Sequence, residues 1–362
     1  MSTRNDSVEM DLAGPAIVGG SLGGLSMALG LAAKGISSTV LEKSRGRSQR
    51  GVAILVSLAG VARTLSPQAM SIVRTELGEA AMNQPLLPHS WWRVYSALHR
   101  ACEAEPLVTL VDGVEVDAVG QGWVRAADRT WTVPAVIGAD GYRSVVRRYV
   151  NDSLPDATFA GYTCWLGQSD IPPNAKDAFA HGSDFYDSGP YMLAVYPQID
   201  PDGATRKFGW GLWDPVRRGL FEEIGAVSAD GKVLRTPRPD DVPAWVYGEM
   251  DEVVGKHWPG QWTEPVAEAF RRRDVLATPI AEYLPERVVN GNVAIIGDAA
   301  HVQTPMTGAG FSEAVADAEV LSRMIATAPG YEQALADYEK LRLTDMRRRV
   351  SAGMDFSRSF TQ

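Results

Sequence analysis

Residues 16–42 read AIVGGSLGGLSMALGLAAKGISSTVLE, and the order of residue types in this stretch decides the fold. Ala16-Ile17-Val18 is a short apolar run with strand character, and Thr39-Val40-Leu41 is a second. Between them stand Gly19, Gly20, Gly23 and Gly24 around Ser21 and Leu22. Glycine lets a backbone turn tightly and lets a ligand come close to it. The small-residue run from Leu25 to Ala33 predicts a helix whose first N–H groups have no partner within the helix. Glu42 closes the second strand about twenty residues after the glycines, where a carboxylate can accept the hydroxyls of a ribose. Strand, glycine turn, helix, strand and acid together predict a mononucleotide-binding βαβ unit with a pyrophosphate at the helix N-terminus. Ser21 stands where the usual G-x-G-x-x-G has its middle glycine.

Two later segments have the same form. Val136-Ile137-Gly138-Ala139-Asp140-Gly141 is a buried-type strand ending in Asp and Gly, followed by Arg143, Arg147 and Arg148. Asn292 to Gly297 is another, ending at Asp298 and followed by Ala299-Ala300-His301. Any one of these could be an ordinary strand-to-helix turn capped by Asp. A parallel α/β sheet gathers ligand groups at the carboxyl ends of its strands, so three such ends point to one extended ligand lying across them.

At this point the chain resembles the FAD-dependent aromatic hydroxylases of the para-hydroxybenzoate hydroxylase type, the single-component flavoprotein monooxygenases. The loop Gly19-Gly20-Ser21-Leu22-Gly23-Gly24 with Glu42 is similar to that family's adenosine-diphosphate fingerprint. Gly138-Ala139-Asp140-Gly141 with Ser144 and Arg147 resembles its D-G motif, and Gly297-Asp298-Ala299-Ala300-His301 with Pro305, Gly308, Gly310 and Asp317 its G-D-A-A-H motif. Within the family the likeness is to the branch acting on dihydroxypyridine and hydroxynicotinate, through Trp91, Val94, Tyr95 and Leu98 and through Ala160 to Trp165.

The resemblance implies bound FAD, with NADH or NADPH as transient electron donor. It implies O2 and a small aromatic substrate as partners, and hydroxylation through a flavin C4a-hydroperoxide. It assigns the cofactor to Gly19, Ser21, Leu22, Gly24, Glu42, Lys43, Asp140, Asp298, Pro305, Gly308 and Gly310. Many relatives have an arginine where the helix beginning at Trp91 starts, so here Tyr95, Arg93 or Arg100 is left to meet the pyrophosphate or flavin. The helix start at Thr307–Gly310 is expected beside the flavin pyrimidine edge. A substrate base or hydrogen-bond partner is expected in the second domain, with His181, Tyr191 and Tyr196 as candidates and His301 nearer the flavin. Trp165, Trp210 and Met306 are pocket candidates. Trp210 and Trp213 lie three apart on a strand and must face opposite sides. Two other readings stay open: a monooxygenase of the same fold acting on a larger polycyclic substrate, and a flavin oxidoreductase that inserts no oxygen. A plain NAD-binding dehydrogenase would not need the second and third motifs.

The 362 residues, 45% hydrophobic, allow a large core. A net charge of −9 argues against a nucleic-acid surface, and Arg271–Arg273 and Arg347–Arg349 read as solvated helix faces. The two cysteines, Cys102 and Cys164, suit a reducing cytoplasm and rule out a disulfide framework. Met1–Asp11 has no apolar core like that of a signal peptide, no run is long enough to span a membrane, and the five histidines lack metal-ligand spacing. The predicted fold class is α/β. A Rossmann-like FAD-binding domain (residues 12–155 and 275–330) is joined to a substrate-binding domain with a mixed β-sheet (156–274), and a C-terminal helical segment covers 331–362. Met1–Gly14 is expected to be a disordered leader, and the last helix to run from Tyr331 to Arg349.

Overall fold

The computed structural model describes residues 8–46, 53–78, 87–175, 179, 182–200, 204–217, 219–305 and 308–362. Strand β1 (Val8–Asp11) precedes the opening unit, where β2 (Ala16–Val18), α1 (Leu22–Ala32) and β3 (Ser38–Glu42) follow the predicted order. A ribbon of β4 (Ala53–Val56) and β5 (Leu87–Ser90) brackets α2 (Leu58–Thr64) and α3 (Pro67–Leu77). Helix α4 (Trp91–Glu103) leads to β6 (Val108–Asp112), then to the short strands β7 (Ala118–Gly120), β8 (Trp123–Ala126) and β9 (Arg129–Thr132). Strand β10 (Val136–Gly138) and α5 (Val145–Val150) end this half. Strands β11 (Thr158–Asp170), β12 (Asp184–Ser188), β13 (Tyr191–Ile199) and β14 (Thr205–Asp214) come next. They are followed by α6 (Leu220–Glu223), α7 (Ala244–His257), α8 (Gly260–Arg271) and β15 (Leu276–Glu282). The chain closes with β16 (Val289–Asn290), β17 (Val293–Ile295), α9 (Gly310–Thr327) and α10 (Tyr331–Phe360).

The central sheet runs β16-β17-β10-β2-β3-β6, and only the β16–β17 edge is antiparallel. Strands β2, β10 and β17 are buried along their whole length, which is why they read as unbroken apolar runs without alternation. From β2 the chain crosses to β3 on one side, and the later β10 lies on the other. A strand order that reverses in this way leaves a crevice at the carboxyl ends.

Helix α1 buries ten of its eleven residues, so its small, apolar composition is that of a helix covered on all sides. Its glycines decide how near it can come. Gly19 has φ +105°, and a Cβ there would lie 2.4 Å from the Ala139 carbonyl oxygen. A Cβ on Gly24 would lie 1.9 Å from the Gly19 carbonyl oxygen.

The second sheet runs β12-β13-β14-β11-β15, and each of its ladders is antiparallel, where a mixed sheet was expected. One face, with Trp165, Val195, Phe208 and Trp210, packs on α7 and α8 through Met250, Trp262 and Phe270. The other carries Tyr162, Cys164, Ala194 and Trp213, with Phe360 of α10 against them. Trp210 and Trp213 thus face opposite sides, as their spacing requires.

Three segments depart from the sequence reading. Val8–Asp11, expected in a disordered leader, is a strand that pairs in parallel with β9. Strand β15, expected in the first domain, pairs with β11 of the second sheet. Helix α10 runs to Phe360, past the expected Arg349, because its last turns cover the second sheet. Among the described residues no helix is long and apolar enough to cross a membrane, and no His/Cys/Asp/Glu cluster could hold a metal. Both cysteines are free and buried.

Gly24→Ala is expected to cost on the order of 1–3 kcal/mol, because α1 must back away from the β2 turn. The urea midpoint measures this, and an unchanged midpoint would mean that the turn yields without cost.

Candidate active site

The three strand ends lie side by side. Gly19 donates its N–H to the Leu41 carbonyl at 2.9 Å, Ala139 to Val18 at 2.8 Å and Ile296 to Gly138 at 2.9 Å. A cavity of about 440 Å³ opens between these ends and the second sheet, within the range of small-molecule sites. Ser21, Leu22 and Gly23, Ala139 and Gly141, and Gly297 and Asp298 line it from the first sheet. Ser183, Phe185, Ala194, Tyr196 and Trp213 line it from the second. Gln303, Thr304 and Pro305 lie between them, and Gly308, Gly310, Phe311 and Ala314 bring in the start of α9.

The three acids are held differently. Glu42 is buried; its Oε2 accepts the Gly20 N–H at 2.7 Å and its Oε1 the Ser44 N–H at 2.9 Å, so it shapes the glycine loop. Asp140 accepts Ser144 Oγ at 2.5 Å and the Val145 N–H at 2.7 Å, which caps α5 and takes up its carboxylate. Burial pushes the Asp140 carboxyl above its ordinary range, and these hydrogen bonds oppose the shift. Asp298 faces the cavity and is accessible from it. The protein around it raises its carboxyl pKa, and the nearby His301 and Arg147 pull it back.

The turn that carries Asp298 is clamped from two sides. Arg147 is buried, donates to the backbone carbonyls of Asp298, Ala299, Tyr142 and Pro155, and stacks over the Tyr283 ring at 4.2 Å. On the other side, the fully buried Asp317 of α9 accepts the Gly297 N–H at 2.9 Å and His301 Nε2 at 2.7 Å. Its other oxygen accepts Arg342 Nε at 2.8 Å. Arg342 also donates to Glu313, which pairs with Arg349 at 3.1 Å. Burial disfavours the charge on His301, but Asp317 outweighs it and leaves the imidazole pKa raised.

A second buried chain of hydroxyls leads away from the cavity wall. Thr304 and Tyr162 share a hydrogen bond at 2.6 Å, Ser357 donates to Glu282 at 2.6 Å, and the Ser357 and Tyr162 hydroxyls lie 3.4 Å apart. Burial pushes the Tyr162 phenol up to about 12 and raises the Glu282 carboxyl.

Of the residues singled out from the sequence, Ser21, Leu22, Asp298, Pro305, Gly308, Gly310 and Tyr196 line the cavity. Gly19, Gly24 and Glu42 build the loop beside it. Trp165 and Trp210 do not reach it: both are fully buried on the helix-covered face, with Trp165 Nε1 bonded to Asp214 and Trp210 Nε1 to Ser169. Tyr191 is also elsewhere, against the His257 ring and the Arg217 guanidinium. His301 is buried in the Asp317 pair. Tyr95 is buried and stacks on Trp91 at 5.1 Å, and it is Trp91 that lines the cavity. Lys43 is exposed outside the cavity wall. His181, Met306 and Thr307 lie outside the described residues. Sequence reading did not single out Gln303, Thr304 or Phe185 as wall residues. The first two stand between His301 and Pro305, so closeness to the motif was a usable signal; Phe185 had none.

The site suits a long dinucleotide. Neither α1 nor α9 has a side-chain N-cap hydrogen bond, and both begin at the cavity. First-turn N–H groups and the helix dipole favour anionic groups there. Gly20 and Gly24 leave no room for a side chain inside the loop.

Comparison with known proteins agrees with this geometry. Residues 241–352 match the FAD binding domain family. The chain is 25% identical over 359 residues to aurachin C monooxygenase/isomerase of Stigmatella aurantiaca, covering 90% of this chain and 84% of that one. Its fold is that of Klebsiella pneumoniae HpxO, solved with FAD and uric acid (TM-score 0.74, 21% identity, 96% of this chain and 89% of that one). It is also that of 2,6-dihydroxypyridine-3-hydroxylase from Arthrobacter nicotinovorans (TM-score 0.71, 20% identity, 96% and 92%).

Asp317→Asn leaves His301 and Arg342 without their shared carboxylate and is expected to cost about 3–5 kcal/mol in urea denaturation; a loss near zero would mean that Glu313 alone suffices. Glu282 has its folded pKa raised above the unfolded value, so its contribution to stability is present at low pH and lost as pH rises through the folded pKa. Glu282→Gln should therefore melt higher than wild type at pH 8, and the gap should close towards pH 5. A wild type that is the more stable at pH 8 would contradict this.

Proposed function

We infer that this chain is an FAD-dependent monooxygenase of the aromatic-hydroxylase type, which takes electrons from NADH or NADPH and inserts one oxygen atom of O2 into a small aromatic or heteroaromatic molecule. The carrying observation is the cavity itself. One continuous space joins a glycine-loop nucleotide unit to an aromatic wall on a separate antiparallel sheet. The extent of the likeness to flavin monooxygenases supports the reading, since it runs through both units.

In this reading, Gly19 to Gly24 and the start of α1 hold the pyrophosphate, and Glu42, at the end of β3 beside the loop, is the acid nearest the adenosine ribose. Asp298 is the acid left open to the cavity, placed to accept hydroxyls of the ribityl chain. The start of α9 offers partial positive charge to the pyrimidine edge of the ring system. Bound FAD supplies hydride acceptance and oxygen activation. The protein supplies orientation and exclusion of water. Phe185, Ala194, Tyr196 and Trp213 form the wall that a planar substrate meets. A cytoplasmic location fits two buried, unpaired cysteines.

The purified protein should be yellow, with the absorption of oxidised flavin, and should oxidise NADH or NADPH faster when an aromatic substrate is present, forming a product heavier by one oxygen. Asp298→Ala should lose FAD on gel filtration together with this activity. A colourless protein that binds no FAD on addition would overturn the reading. Substrate-stimulated oxidation that yields only hydrogen peroxide across a panel of phenols, pyridines and quinolones would favour an oxidoreductase without oxygen insertion.

A further inference from the structure

The two units meet along a second line, away from the strand ends. Strand β5 of the ribbon lies against β13 of the second sheet. On this side Ile54, Leu55 and Trp91 line the cavity from the ribbon and the start of α4, while Ala194 and Tyr196 line it from β13. Gln198, two positions further along β13, falls on the same face and is buried. A wall carried by one unit serves a ligand held by the other only while this line keeps its register.

A carboxylate spans it. Asp200 follows β13 and is shared between two arginines. Its Oδ2 accepts Arg206 Nη1 at 2.7 Å, and its Oδ1 accepts Arg93 Nη2 at 2.5 Å. Arg206 belongs to the same hairpin as Asp200. It stands at the bulge where the pairing slips from Gln198–Lys207 to Ile199–Thr205, and a bulge re-aims a side chain. The Asp200 N–H donates to the Ala204 carbonyl at 2.7 Å and closes the turn. The carboxylate is thus set from within the second unit before Arg93 reaches it. Arg93 lies on α4, two positions after Trp91, and α4 packs on α1 and α3 of the first unit. The sequence left Arg93 as a candidate to meet the cofactor; its guanidinium reaches the second unit.

Exposure places this pair between two regimes. The Arg93 and Asp200 side chains are 30% and 25% exposed. Water and salt screen a fully exposed pair until it holds little. A fully buried pair cannot part without stranding charge in the interior. A partly buried pair can both hold and open. His89 of β5, buried near Arg93, adds no competing charge at neutral pH, because burial and then Arg93 push its imidazole down to about 4.

We propose that Arg93 and Asp200 are positioning residues. Their ion pair clasps the ribbon side of the first unit to the β13–β14 hairpin, sets the Tyr196 wall against Trp91, and keeps that side of the cavity closed to water. The clasp follows from the fold; its effect on the chemistry rests on the monooxygenase reading. With the clasp made, O2 and the two electrons of NAD(P)H put one oxygen atom into the substrate, and the other leaves as water. With it open, water enters. The same O2 and electrons then leave with two protons as hydrogen peroxide, and the substrate is unchanged.

The first test needs no cofactor. Amide hydrogen exchange of the FAD-free protein is followed in β5, in β13 and, as a reference, in β17. Asp200→Asn and Arg93→Gln should each speed exchange in both β5 and β13 by roughly fivefold, the shift that one partly buried ion pair supports. Strand β17 should not change. The double variant should go no further than either single, because one shared interaction is lost. Arg93→Lys keeps the charge and should stay near wild type. Protection of β17 reports that a variant is folded, and either single decides if the other is not. Faster exchange in the hairpin alone, single effects that add in the double variant, or no change in β5 would overturn the clasp. The second test uses the FAD-loaded enzyme with whichever phenol, pyridine or quinolone it oxygenates. Both single variants should raise the share of NAD(P)H consumption that ends as hydrogen peroxide by roughly the same factor, with FAD retained. An unchanged share would overturn the positioning role. A protein that binds no FAD would overturn the monooxygenase reading and leave the exchange result standing.

Discussion

A single buried carboxylate, that of Asp317, fixes the geometry on which the cavity depends. It holds the Gly297 amide at the end of β17, the His301 imidazole one turn further on, and the Arg342 guanidinium of α10. Taking a charge out of water is costly unless partners fully replace the lost hydration. Here a backbone amide, the His301 imidazole and the Arg342 guanidinium do so, and burial makes their geometry demanding. Asp317, on α9, therefore ties the strand end and the turn bearing Asp298, which directly follows it, to the terminal helix. Arg147 grips the same turn through its carbonyls from the opposite side. Held between the two, the Asp298 side chain can stay open to the cavity with its protein partners on the backbone behind it.

The terminal helix α10 has a second role. Gly353 lets it pack on Thr304, where a Cβ would approach the threonine methyl to 3.1 Å. Ser357 then completes the hydroxyl chain from Thr304 through Tyr162 to Glu282. The helix thus braces both the motif turn and the second sheet, and for this reason it runs on to Phe360. The cavity combines an apolar aromatic wall with two helix N-termini and one open acid. That separation of character suits a ligand with an anionic, hydroxylated end and a flat end.

Much of the first unit was legible because its signals are local. A glycine loop between a strand and a helix works through the backbone of neighbouring residues, so Gly19, Gly24, Glu42 and Asp298 could be placed from spacing alone. The second sheet was less legible. Its face alternation was read correctly for Trp210 and Trp213, but spacing cannot tell which face meets helices and which meets a cavity. Trp165 and Trp210 consequently proved to be core residues, covered by α7 and α8. Tyr191 and Tyr196 stand five apart on β13 and so face opposite sides; only Tyr196 reaches the cavity. Val8–Asp11 was missed because its partner, β9, lies far along the chain.

By itself the sequence determined the nucleotide unit, the three strand ends and the two-unit α/β architecture, because hydrophobic period and glycine placement act within a few residues of where they are read. Only the tertiary structure decided which aromatic rings form the cavity wall and which side chains clamp the turn that bears Asp298. These depend on contacts between residues more than a hundred positions apart, such as Thr304 with Tyr162 and Arg147 with Asp298, and local spacing carries no information about them.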